Sequence, residues 1–207
     1  MYGALASRPV AVNTELYGKM SGERLRPTDW LNAGLRTLAR AGFTALKADT
    51  LSKSLGVSRG SFYWHFADVG AFHAAVLRRW REVALEDIVA DIEETSGDRL
   101  ETLIRRGFSA RSNLESAVRA WAFADEKARA AVEAVDAERV RYLNKLLVEA
   151  GVDPNLAKSR ARLLNWAYLG RSVSPRRMES EDLDMEDLDM IVDDVSRLIR
   201  WQSHKQA

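Results

Sequence analysis

The run Arg59-Gly60-Ser61-Phe62-Tyr63-Trp64-His65-Phe66 concentrates hydrogen-bonding and aromatic side chains in about two helical turns. Phe62 and Phe66 lie four apart, so on a helix they share one face and pack inward against Leu51, Leu55 and the preceding helix. The opposite face is then Arg59, Gly60, Ser61, Tyr63, Trp64 and His65. A guanidinium fork in the first turn of such a helix matches the O6 and N7 acceptors of guanine, a contact worth about 1–3 kcal/mol in discrimination. Ser61 has the reach for a base edge or a phosphate, and Gly60 leaves room for close approach to a groove. Trp64 suits a sugar or a thymine methyl, and equally suits packing on a neighbouring helix.

The elements that must position these residues are legible on both sides. Leu51 to Phe66 reads as two short helices hinged at Gly56, with Ser58 as N-cap of the second. The layout is that of a helix-turn-helix whose second helix lies on DNA. Before it, Pro27-Thr28-Asp29 opens a helix with apolar Leu31, Leu35 and Leu38, stopped at Gly42-Phe43; a second helix is expected from about Ala48 to Leu55. After Asp68 one long helix is expected, with Phe72, Val76, Leu77, Trp80, Val83, Ala84, Ile88 and Ile92 at helical spacing until Thr95-Ser96-Gly97. Further helices are expected over Asp98 to Ala110, Leu114 to Ala124 and Glu126 to Ala150, the last stopped at Gly151. Asp153-Pro154 starts another, reaching about Arg171. A final helix carries Leu188, Ile191, Val192, Val195, Leu198 and Ile199 after a loop at Ser174-Pro175-Arg176-Arg177. No run alternates as a strand does, so the expected fold is all-α with about nine helices.

The formal net charge of +1 hides a polarised chain. Between Arg24 and Phe66 seven basic residues stand against Asp29 and Asp49; between Met178 and Asp194 nine acids stand against no lysine or arginine. One end suits a polyanion and the other avoids it. With no cysteine, disulfides, zinc-thiolate sites and thiol nucleophiles are excluded. No stretch approaches the ~18 apolar residues of a membrane span, and Met1 to Met20 lacks the apolar core of a signal peptide. A cytoplasmic protein without membrane association is expected.

Residues from Gly42 to Leu77 resemble the TetR family of bacterial transcriptional regulators. The resemblance is carried by Gly42-Phe43, by Leu51-Ser-x-x-Leu-Gly-Val-Ser58, by Gly60-Ser-Phe-Tyr-Trp-His-Phe66, and by Phe72 and Leu77. It implies an N-terminal three-helix DNA-binding domain followed by a larger helical domain for effector binding and dimerisation. It also implies that Tyr63 and His65 contact phosphate, fixing register rather than sequence. The chain departs from the pattern at Lys47, where a small hydroxyl residue commonly caps the second helix; a phosphate-binding cation replaces the cap. It departs again at Asp68-Val69-Gly70, where a lysine commonly opens the fourth helix on DNA. Val69 cannot do that, so a shallower salt dependence is expected unless Lys47 compensates. The expected DNA-facing set is Lys47, Ser58, Arg59, Gly60, Ser61, Tyr63, Trp64 and His65.

Enzyme readings fare poorly. Gly56-Val57-Ser58-Arg59-Gly60 fits the Gly-x-Ser-x-Gly elbow of hydrolases, but that mechanism needs a preceding strand, and Asp49 to Leu55 reads as helix. The three histidines lack metal-pair spacing, and the acidic run at Asp182 to Asp189 lacks the glycine and terminal glutamate of an EF-hand loop. No catalytic residue, cofactor or metal is expected.

A single helix-turn-helix makes few contacts, whereas a two-fold dimer reads two half-sites of a palindromic operator in double-stranded DNA. Leu156, Leu163, Leu164 and Ala167 on one helix, with Leu188, Ile191, Val195, Leu198 and Ile199 on the last, give two stripes able to form a four-helix bundle across a two-fold axis. The homodimer interface is accordingly expected at Leu163, Ala167, Leu188, Ile191, Val195 and Leu198. An unknown small-molecule effector is expected at Phe108, Arg119, Trp121, Tyr142, Asn165 and Trp166, with Arg119 favouring an anion unless Glu115, four residues earlier, pairs with it. The expected organisation is a mobile arm over 1–26, a DNA-binding domain over 27–70 and an effector-binding and dimerisation domain over 71–207. The leading reading is a repressor released by its effector through a tilt of the long helix. The alternatives are an activator, a constitutive regulator with a filled core, or a helical enzyme or adaptor retaining a relic helix-turn-helix.

Overall fold

The computed structural model describes residues 25–109, 113–173 and 185–201, and every structural statement below concerns these. The arm over 1–24, the Ser174–Arg177 loop, the acidic run as far as Asp184, and His204 lie outside them. The described chain is all helical, with no strand. Helix α1 (Pro27–Ala41) starts on Pro27, while Asp29 accepts from the Arg26 backbone N–H at 2.7 Å. It ends at Gly42, whose φ of 74° turns the chain into a 3₁₀ turn at Phe43–Ala45. Helices α2 (Ala48–Ser54) and α3 (Arg59–His65) follow, joined through Gly56 at φ 67°, a conformation that costs a side-chain-bearing residue dearly.

Asp68 caps the next helix by accepting from the Ala71 N–H at 2.7 Å. The long helix expected from here is continuous but not uniform: α4 (Val69–Arg81) passes through a π-helical turn (Glu82–Glu86) into α5 (Asp87–Glu93). The remaining helices are α6 (Arg99–Ser109), α7 (Asn113–Ala122), α8 (Glu126–Glu149), α9 (Pro154–Val173) and α10 (Met185–Arg200). With α4 and α5 counted as one rod, the described residues form nine helices, as the apolar periodicity predicts.

Two hydrophobic cores lie along the rod. The first joins Trp30 and Leu38 of α1, Leu51 of α2, Phe62 of α3, and Phe72, Val76 and Trp80 of α4 to Val118, Trp121, Val132 and Val135 of α7 and α8. The second joins Ile92 of α5 to α6, α8, α9 and α10 through Leu100, Ile104, Leu147, Ala161, Leu164 and Val192. Where α1 crosses α4 the backbones approach closely at Gly34: a Cβ there would stand 2.8 Å from Phe72 Cζ and 2.9 Å from Val76 Cγ2. The mid-helix glycine therefore serves the crossing, at some cost in helix propensity.

Candidate nucleic-acid interface

Helix α3 presents the two faces that its residue types require. Phe62 is fully buried, with its ring edge-on to Trp30 at 5.4 Å and to Phe72 at 5.2 Å, and Phe66 packs beside it. The other face stays open: Ser58, Arg59, Gly60, Tyr63 and Trp64 are exposed, and Ser61 and His65 are half-buried. Trp64 is 72% exposed and stands outside the core. Lys47 sits exposed at the start of α2, where its side chain makes no capping hydrogen bond. Ser58 occupies the N-cap position of α3 with extended backbone, but its hydroxyl does not cap; only its carbonyl engages, accepting from Ser61 N–H at 3.0 Å. The hydroxyl is thus left for other partners.

Arg59 is held before any ligand arrives. Its Nε lies 3.3 Å from Asp49 Oδ1 at the first turn of α2, and its Nη2 donates to the Tyr63 hydroxyl at 3.2 Å. Tyr63's hydroxyl and, after it, the Asp49 charge hold the Arg59 guanidinium above its ordinary pKa. Asp49 was not among the expected site residues; an acid in a basic segment reads as a solvated charge unless its neighbour in space is known. Val69 is half-buried against the first core, so the opening of α4 offers no cation. The hydrolase elbow falls on geometry: α2 stands where a strand would be required.

Besides the shared core, a cluster of rings fastens the segment before α2 to α4 and α7. His73 of α4 pairs its Nε2 with the Leu46 carbonyl at 2.9 Å, and Trp121 of α7 stacks on Phe43 at 6.0 Å between ring centroids and meets His73 edge-on at 5.3 Å. Trp121, expected among effector contacts, is 1% exposed and makes this packing.

The other expected effector residues divide. Arg119 faces inward but is fully engaged: Nε donates to Glu115 at 2.9 Å, and the two terminal nitrogens donate to Asp136 at 2.9 and 2.6 Å. Glu115, 2% exposed, also receives a bidentate pair from Arg139 at 3.0 and 3.0 Å, and Arg139 stacks over Tyr168 at 5.1 Å. Burial pushes the Glu115 carboxyl up, yet Arg139 and Arg119 outweigh it and hold the group below its ordinary value. The same Arg139 donates to the Ala84 carbonyl at 3.2 Å, inside the π turn, so this ionic cluster grips the rod. Asn165 is buried, and Phe108 and Tyr142 are half-buried beside the second core. Burial, then the charge of Glu93, pushes the Tyr142 phenol up to about 12. Trp166 is exposed on the outer side of α9 and so stands away from the interior.

That outer side is apolar. Leu163, Trp166 and Ala167 of α9 are exposed, as are Met190 and Leu198 of α10 and Trp201 beyond it. Arg160 of α9 donates to the carbonyls of Ile199 and Trp201, which ties the two helices together near this surface. Of the residues expected at a dimer interface, Leu163, Ala167 and Leu198 are exposed, and Ile191 and Val195 are half-buried. Leu188 turns inward and is buried in its own chain's second core, because it shares a helix face with Val192 and Ile199. Among the described residues no His, Cys, Asp or Glu group could hold a metal ion, and no helix is long and apolar enough to cross a membrane.

Residues 31–68 match the family model of bacterial regulatory proteins of the tetR family. No curated protein matches the chain in sequence. Among solved structures, the reduced form of E. coli NemR is similar at a TM-score of 0.68 and 20% identity, over 83% of this chain and 95% of that one. A putative TetR-family transcriptional regulator from Rhodococcus sp. is similar at 0.62 and 21% identity, over 84% and 98%. A putative transcriptional regulator from Saccharomonospora viridis in complex with choline is similar at 0.61 and 16% identity, over 86% and 96%. The fold is that of TetR-family transcriptional regulators, helix-turn-helix included.

Proposed function

We propose that this TetR-like chain is a dimeric, sequence-specific DNA-binding transcriptional regulator, acting as a repressor released from a palindromic operator by a small-molecule effector. The observation that carries the reading is the two-faced α3: Phe62 and Phe66 anchor it, while Arg59, Tyr63 and Trp64 are exposed and His65 half-buried on a basic segment. Residues 27–70 read the DNA in the cytoplasm, with Lys47, Ser58, Gly60 and Ser61 completing the surface. Residues 71–207 supply pairing and effector binding. The uncovered apolar face of α9 and α10 supports a pairing seam made of Leu163, Ala167 and Leu198, joined by Trp166.

Glu115 and Asp136 already occupy the guanidinium forks of Arg119 and Arg139, so the pairing of Glu115 with Arg119 removes the anionic preference and the effector is read as a small molecule without a committed charge. Titration of an operator complex with small molecules that bind the protein tests effector release; unchanged operator affinity at saturation across all of them defeats it.

The primary test is enrichment of duplex DNA from a random pool by the full-length protein. A two-fold symmetric site is expected, and Arg59→Ala lowers its affinity about 10-fold or more, the order of one lost bidentate base contact. No enrichment by the wild type, or full enrichment by Arg59→Ala, overturns the assignment.

A further inference from the structure

We propose that Asp49 is a positioning residue for base reading: it holds Arg59 so that the end-on pair of guanidinium N–H groups meets guanine in a G·C pair. The inference rests on the DNA-binding reading and deepens it.

A guanidinium has two forks, one formed by Nε and Nη2 and one formed by the two terminal nitrogens. At Arg59 the Nε edge is ion-paired with Asp49, whose Oδ1 lies 3.3 Å away, and Nη2 donates to the Tyr63 hydroxyl at 3.2 Å. With Nε–H facing Asp49 and one Nη2 hydrogen engaged, three N–H groups remain on the terminal nitrogens, enough to supply a pair to guanine O6 and N7. The guanidinium carbon also stands 5.5 Å from the centre of the Tyr63 ring, which further restricts its swing. Long side chains lose considerable rotamer freedom on binding, so an arginine already fixed by two partners loses less.

The alternatives for Asp49 are weaker. A carboxylate on a surface that approaches phosphate costs affinity, and only two acids occur between Arg24 and Phe66. Asp29 has a structural use, accepting from the Arg26 N–H. Asp49 has Arg59 as its partner, and the two side chains are 63% and 61% exposed, so solvent screens most of any contribution to stability. Its effect is therefore expected in selectivity rather than in folding.

The experiment compares wild type, Asp49→Ala and Asp49→Ser, each full length, on two duplexes: the site enriched by the wild type, and the same site with the Arg59-read guanine replaced by adenine. Melting curves accompany each, and the second replacement keeps a folding defect in one variant from deciding the outcome. Both variants are expected to melt with the wild type and to lose about fivefold to tenfold in the ratio of affinities for the two duplexes. In an Arg59→Lys background, which has no fork, the Asp49 replacement should leave that ratio unchanged. A wild-type ratio retained by both variants overturns the role of Asp49 while leaving DNA reading intact. So does an equal gain of affinity for both duplexes, which marks simple relief of charge repulsion. A wild type that enriches no sequence overturns the DNA-binding reading itself, and this inference with it.

Discussion

At the scale of single residues, the buried Glu115 carboxylate is the most exacting group in the chain. It is stable as an anion only because two arginines converge on it, and each of them has further acceptors to satisfy. Removing one partner from a buried pair is far costlier than the net worth of the pair, because the remaining charge is stranded. Arg139→Met is expected to cost about 3 kcal/mol, the lower end for such a deletion, since Arg119 still reaches Glu115. Equilibrium denaturation checks it, and a loss below 1 kcal/mol sinks the account. The pH dependence has a definite sign. The folded-state value of Glu115 lies below its unfolded value, so its contribution is complete above about pH 4.5 and disappears as pH falls through the folded value. Arg139→Met raises the folded value, and acid unfolding should then begin at higher pH.

At the scale of elements, the α1–α4 crossing and the π turn are what the residue pattern concealed. Caps and stops were legible because they rest on local chemistry: Pro154 after Asp153, Gly151 at φ 85°, Asp68 before α4. Gly34 was not, since a glycine within a helix reads as a weakness until the opposing Phe72 is known. Gly34→Ala should therefore destabilise by about 1–3 kcal/mol, as overpacking does, despite alanine's better helix propensity; a more stable variant in thermal melts refutes the close crossing. The π turn hid for a related reason. Buried Trp80 and buried Leu85 are five positions apart, a step that α-helical periodicity does not make and a wider turn does. Val83 and Ala84 filled the gap in the pattern and masked it. Of the interface, the α3 face was readable from side-chain types alone, whereas Asp49 and Arg139 act through partners on other helices, which spacing along the chain cannot reveal.

At the scale of the whole molecule, the proposed pairing rests on the exposed apolar residues of α9 and α10. Leu198 is 72% exposed and Trp201 65%, and an aspartate at position 198 places a charge in the proposed seam. Leu198→Asp is expected to give a folded monomer by mass in solution; a surviving dimer places the seam elsewhere. The rod from Val69 to Glu93 has a different consequence. It walls both cores, supplying Phe72, Val76 and Trp80 to one and Ile92 to the other. A chain severed after residue 70 would leave Phe62 without the Phe72 ring that packs edge-on against it, so helices α1–α3 have little independent existence. Heat should then melt both cores in one calorimetric transition whose van't Hoff and calorimetric enthalpies agree, and two resolved peaks would contradict it. One shared transition would tie release of α3 to the stability of both cores. Whatever loosens one end taxes the stability of the other, and a substitution deep in the far core becomes, through that shared wall, a quiet modifier of regulation.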